Sequence, residues 1–138
     1  MEQSAPFLAY RSFYTPLNTL EKFGQIGYDT ACLFPAHTVN SRGTPYSQYP
    51  PTWLWYDIYD FTVVDKIIAD VSRAWPGVRF LCMIDLNSPV WLEHMNWLSC
   101  SDTFNNLGKA LHNPEWLAPT ERYLRSFVEY CESRYADR

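Results

Sequence analysis

The sequence predicts an α/β fold on three observations. Three apolar, strand-like runs alternate with helix-like runs, the helix-to-strand connections are tight, and the strand-to-helix connections are long. The alternation argues for a parallel sheet. The asymmetry of the connections points to a (β/α)8 barrel, whose working loops leave the C-terminal ends of its strands. The chain has 138 residues, against about 250 for such a barrel. The expectation is therefore an incomplete (β/α)8 TIM barrel: its first three βα units, with 1–138 an N-terminal fragment and no second domain. A compact three-strand domain competes, but it would leave sheet edges and apolar helix faces uncovered.

The elements follow in order. Phe7 to Phe13 reads as the first strand. Asn18-Thr19-Leu20-Glu21 has the spacing of a helix N-cap with a carboxylate three residues on. That helix runs to about Ile26, and Gly27 stops it. Tyr28 to Phe34 is the second strand, ended by Pro35. Thr62 to Ala74 is the best-defined helix: Val63, Val64, Ile67, Ile68 and Val71 fall on one face at 3/4 spacing, and Asp60 is placed to cap it. Trp75-Pro76-Gly77 ends it. Val78 to Leu86 is the third strand, nearly continuous in apolar residues as a strand covered on both faces should be. A long connection from Asn87 to Pro119 holds a short helix at Thr103 to Leu111. The last helix runs from Thr120 to about Tyr135, with Tyr123, Leu124, Phe127, Val128 and Cys131 on its apolar face.

The bulk chemistry excludes several classes. The formal charge is −4 and no basic run exists, so nucleic acid is not an expected partner. No apolar stretch reaches the roughly 18–20 residues that span a bilayer. The N-terminal residues have neither the charged nor the apolar region of a signal peptide, so a cytoplasmic location is expected. Cys32, Cys82, Cys100 and Cys131 form no CxxC pair and read as buried, reduced thiols. The turn after the first strand has no glycines, which removes the dinucleotide signature of a doubly wound sheet. HExxH, a Cys/His cluster and an acidic calcium loop are all absent, so neither a metal nor a cofactor is expected.

The segment from Pro35 to Phe61 is where composition and position disagree. It carries Tyr46, Tyr49, Trp53, Trp55, Tyr56, Tyr59 and Phe61 beside His, Asn, Gln and Asp. A loop this long in a small domain is functional or disordered, and disordered segments are poor in aromatics. Flat rings beside directed polar groups suit a sugar: pyranose C–H faces stack on rings, and hydroxyls need polar partners. Trp53 and Trp55 are the stacking candidates, while Tyr59 and Phe61 suit stapling the next helix.

At the strand ends, Asp85 and Asn87 either hold sugar hydroxyls or, in the plainer reading, Asp85 caps a turn and pairs with Arg11. If Asp85 points into the barrel mouth, alternation sends Leu81 and Met83 inward too, and Cys82 and Ile84 toward the helices. Arg11 and His37, also at strand ends, are binding candidates with structural roles as alternatives. Asp57 and Asp60 suit the dipole at a helix start. No two carboxylates match a glycosidase pair.

A strand ending in Phe34-Pro35-Ala36-His37-Thr38, a loop closing on Trp53 to Phe61, and a third strand running into Ser88-Pro89-Val90-Trp91 together resemble the start of a clan A glycoside hydrolase. The pattern is similar to the β-galactosidase-like family 42 and its relatives, over roughly residues 7 to 135. The resemblance implies part of a hydrolase of β-linked galactosides or similar glycosides, acting by retaining double displacement. Its two catalytic Glu would lie after the fourth strand and on the seventh, outside this chain, so no catalytic residue is assigned and the chain alone is expected to be inactive. The resemblance implies a substrate-side wall from Tyr14, Phe34, His37, Asp85, Asn87 and Trp91. The alternatives are a non-catalytic carbohydrate-binding or degenerate barrel protein, or an unrelated barrel enzyme such as an isomerase or aldolase. The expected partner is a carbohydrate, with self-association through uncovered sheet edges.

Overall fold

In chain order the elements of the computed structural model are β1 (Ala9–Arg11), α1 (Leu17–Gln25), β2 (Thr30–Leu33), β3 (Trp53–Trp55), β4 (Ile58–Tyr59), α2 (Thr62–Ala74), β5 (Arg79–Cys82), α3 (Val90–Met95), α4 (Thr103–Ala110) and α5 (Pro114–Tyr135). The structure describes residues 9–11, 17–33, 48–84, 86–95 and 103–136. β1, β2 and β5 form a parallel sheet in that order, with Ala9 opposite Thr30 and Thr30 opposite Arg79. β3 and β4 form a separate antiparallel ribbon.

The expected incomplete (β/α)8 barrel is therefore corrected: the chain forms a small mixed α/β domain. A barrel needs strands that tilt and close on one another. Here the parallel strands are only 3 or 4 residues long, and the inserted ribbon pairs only with itself. Leu92 of α3, Ala110 of α4, and Trp116 and Tyr123 of α5 instead build a second core with Trp53 of the ribbon. On β5, Leu81 stands 48% exposed, so the strand is not covered on both faces. The expected inward turn of Leu81 is corrected too, and Asp85 lies outside the described residues. Leu81 points to solvent, Ile84 packs into both cores, and Cys82 hydrogen-bonds the Cys131 thiol of α5.

The first core is aliphatic. All five residues of the α2 stripe are buried, together with Leu20 of α1 and Ala31 and Leu33 of β2. The α1–α2 approach is set by Gly24, where a Cβ would come within 2.5 Å of the Trp75 indole. Gly27, at φ +95, ends α1 as expected. Tyr28 N donates to Phe23 O at 3.1 Å and Gly27 N to Gly24 O at 3.4 Å, the paired bonds of a Schellman motif. The Phe23–Tyr28 ring contact at 4.8 Å is the hydrophobic clasp that accompanies it.

The second core is aromatic and gathers Trp53, Leu92, Trp116 and Tyr123 around Ala110. α5 starts six residues before the predicted Thr120. Asn113 caps it, its Oδ1 accepting from Glu115 N at 2.9 Å, and Pro114 takes a first-turn position. Pro119 sits inside the helix, past its first turn, where it cannot donate to the Glu115 carbonyl. Among the described cysteines, Cys32 and Cys131 are half-buried and Cys82 is exposed, and none of the three is in a disulfide. This corrects the expected burial of Cys82; Cys100 lies outside the described residues.

Candidate functional site

The aromatic segment is in part a hairpin rather than a loop. Trp53 pairs with Tyr59 and Trp55 with Ile58, with an irregularity between Trp53 and Trp55. Asp57 makes the turn at φ 49, a left-handed conformation that Asp tolerates better than most residues. The irregularity sends the two tryptophans to different fates. Trp53 is 3% exposed, stacked on Tyr123 at 4.7 Å with the planes 3° apart, and its Nε1 donates to Trp55 O at 3.0 Å. It belongs to the core. Trp55 is 40% exposed, and its inner face rests on Trp91 at 5.0 Å.

Trp91, at the start of α3, is the hub. It also meets Tyr56 at 5.1 Å and Trp53 at 5.4 Å. Its indole Nε1 is buried without a hydrogen-bond partner among the described residues, and a donor so isolated costs about 1–3 kcal/mol. Leu54 and Ile58 are exposed on the same ribbon, so the apolar surface around Trp55 extends beyond one ring.

Polar groups flank the ribbon turn. Asp57 Oδ1 accepts from Arg122 Nε at 2.7 Å and from Tyr59 OH at 3.3 Å. The Arg122 hydrogen bond, ahead of its charge, holds the Asp57 carboxyl below its ordinary value against the opposing effect of burial. Burial, then the Asp57 charge, raises the Tyr59 phenol. At neutral pH the turn thus presents a carboxylate, a guanidinium and a protonated phenol. Such a set can accept and donate hydrogen bonds to hydroxyls.

Of the predicted wall, the structure brings Trp53, Trp55 and Trp91 together, with Trp53 as support. Asn87 is half-buried beside Ser88, whose Oγ accepts from Trp116 Nε1 at 2.7 Å; that stretch is tied to α5. Arg11 lies in β1 opposite Cys32, with its side chain outside the described residues. Tyr14, Phe34, His37 and Asp85 also lie outside them. Tyr59 stacks on Phe61 at 5.4 Å, and Phe61 packs on Phe127 and Tyr130 of α5, so these rings fasten the start of α2 to α5. Asp60 Oδ1 accepts from Thr62 N at 3.1 Å at that helix start. Asp57 instead reaches across to α5. Sequence reasoning missed the Arg122 partnership, because a contact spanning 65 residues has no local signature.

Among the described residues, no three potential metal ligands come together. No described helix is long and apolar enough to cross a membrane. No protein-family model, no curated protein and no solved structure matches the chain.

Proposed function

We propose that the β3–β4 ribbon is a carbohydrate-binding surface, with Trp55 as the stacking platform. One observation carries the reading: Trp55 is braced by Trp91 at 5.0 Å, tilted by 38°, and by the perpendicular ring of Tyr56 at 6.4 Å, yet remains 40% exposed, two residues from the Asp57–Arg122 pair. An indole braced from behind loses little freedom when a flat ligand covers it. A pyranose offers an apolar C–H face to the ring and hydroxyls to the carboxylate and guanidinium. A β-linked galactoside is the first ligand to test, because that is the substrate class the sequence resemblance implies. The wider hydrolase reading, with its Glu pair outside the chain, draws nothing from this geometry; binding does. A reducing, cytoplasmic setting is part of the proposal and suits the reduced state of Cys32, Cys82 and Cys131.

Titration with β-galacto-oligosaccharides, followed by tryptophan fluorescence and calorimetry, tests the reading. Saturable binding is expected, lost in Trp55→Ala and weakened in Asp57→Asn. If neither galactosides nor a wider glycan panel gives a saturable signal, or if Trp55→Ala binds as well as the parent, the surface is not a sugar site.

A further inference from the structure

α5 has a face that no part of the described structure covers. Tyr123 and Phe127 turn into the cores. One step around the helix, Leu117, Leu124 and Val128 line an open groove of about 580 Å³, closed at its far side by Leu86 and Leu111. Leu117 is 39% and Val128 45% exposed. Polar side chains rim this groove unevenly: Glu121, Glu129 and Glu132 against Arg125 alone. Arg125 is already paired with Glu121 at 2.9 Å, so the rim carries two further carboxylates. Thr120, 6% exposed in the groove lining, holds a hydroxyl with no hydrogen-bond partner.

We propose that this groove docks an amphipathic helix of a partner protein, its apolar face carrying leucine- or valine-sized side chains and its flanks carrying lysine or arginine. Length favours a helix over a compact ligand. From Leu117 to Glu132 the groove follows α5 for roughly 22 Å at 1.5 Å per residue, about four helical turns. Apolar lining at 3/4 spacing is what a second helix packs into. The sign of the rim then selects the partner. Two uncompensated carboxylates attract basic flanks and repel acidic ones. A second copy of this face would set Glu121 against Glu129 in an antiparallel crossing centred on Arg125, and like against like in a parallel one. The same carboxylates would be repelled by an anionic bilayer, which recruits basic helices.

The test uses the full 138-residue chain and three synthetic helical peptides of about 18 residues. One has a leucine stripe with lysine flanks, one the same stripe with glutamate flanks, and one lysine flanks with serine in the stripe. By fluorescence anisotropy, the leucine/lysine peptide is expected to bind at about micromolar Kd, roughly tenfold or more tighter than either control. Val128→Arg, at an exposed position, should abolish that binding without shifting the thermal melt, and Glu129→Lys with Glu132→Lys should weaken it roughly tenfold. Equal binding of all three peptides, or unchanged binding by Val128→Arg, overturns the proposal. So does self-association, or capture of anionic phospholipid vesicles, that Val128→Arg removes, since either would assign the face to a different occupant.

Discussion

The two cores are built on different rules. The aliphatic one is made of neighbours: α2 supplies five of its buried residues from nine consecutive positions, and burial there is non-directional. The aromatic one gathers rings from the ribbon, α3 and α5, and ties several of them by a polar atom. Trp53 Nε1 reaches Trp55 O, Thr52 Oγ1 meets Tyr123 OH at 2.9 Å, and Trp116 Nε1 reaches Ser88 Oγ. Buried rings with polar tips need such partners, so this half is fixed in geometry as well as in volume. The difference teaches why an exposed ring is found where it is. Trp55, the proposed platform, is mounted on the half whose packing is directional.

Trp53→Ala should break that comparison most visibly. Removing a buried ring stacked on Tyr123 is expected to cost about 3–5 kcal/mol, whereas Ile67→Val in the aliphatic core costs about 0.5–1.5 kcal/mol. Urea midpoints at constant slope give both values. If the two losses come out equal, the aromatic half is not the more tightly specified one.

The same division decides what the sequence reveals. α2 is legible because its contacts recur every three or four residues, and the end of α1 because Gly27 must adopt a positive φ. The aromatic segment announces itself by composition, yet its hairpin does not. Three strand residues, Trp53 to Trp55, are too few to show alternation, and Tyr56-Asp57 lacks the glycine that usually marks a tight turn. The barrel expectation failed for a related reason. Alternating strands and helices fit its start, but the decision lay in contacts such as Thr52–Tyr123 and Ser88–Trp116, separated by 71 and 28 residues. Pro119 reads locally as the end of a connection, and that reading hides the earlier start that Asn113 and Pro114 mark. Of the site, the rings Trp55 and Trp91 were legible, while Arg122 entered only through the fold.

Asp65 joins the two halves, and its loss should cost less than that of Trp53. From α2 it accepts from Tyr130 OH at 2.8 Å and Tyr135 OH at 2.5 Å on α5, and pairs with Arg134 at 3.0 Å. Burial alone would raise its carboxyl, but the two phenols and the Arg134 charge outweigh it, and the group sits below its ordinary value of 3.8. Its stabilisation is therefore present at neutral pH and lost as pH falls from about 4 through the lowered folded value. Burial, then the Asp65 hydrogen bond, pushes Tyr130 up to about 12 from 10.0, so a second loss is expected as pH rises across that interval. Asp65→Ala leaves both phenols without their acceptor and should cost about 1–3 kcal/mol at pH 7, the gap from the parent closing in acid. A pH-independent gap in the thermal melts would mean that the clamp is packing alone.

Trp55→Ala should give the smallest effect on stability and the sharpest contrast. It removes as large a side chain as Trp53→Ala, only two positions away, but from a ring whose outer face is already in water. Surface substitutions of this kind lie within about 0.5 kcal/mol. Lost contact with Trp91 pushes the value toward the destabilising end, while relief of the stranded Trp91 Nε1, which water could then reach, offsets part of it. A near-neutral melt combined with lost sugar binding would separate the two tryptophans cleanly into support and platform. A loss approaching that of Trp53→Ala would instead place Trp55 in the core and remove the reason for reading its exposed face as a binding surface.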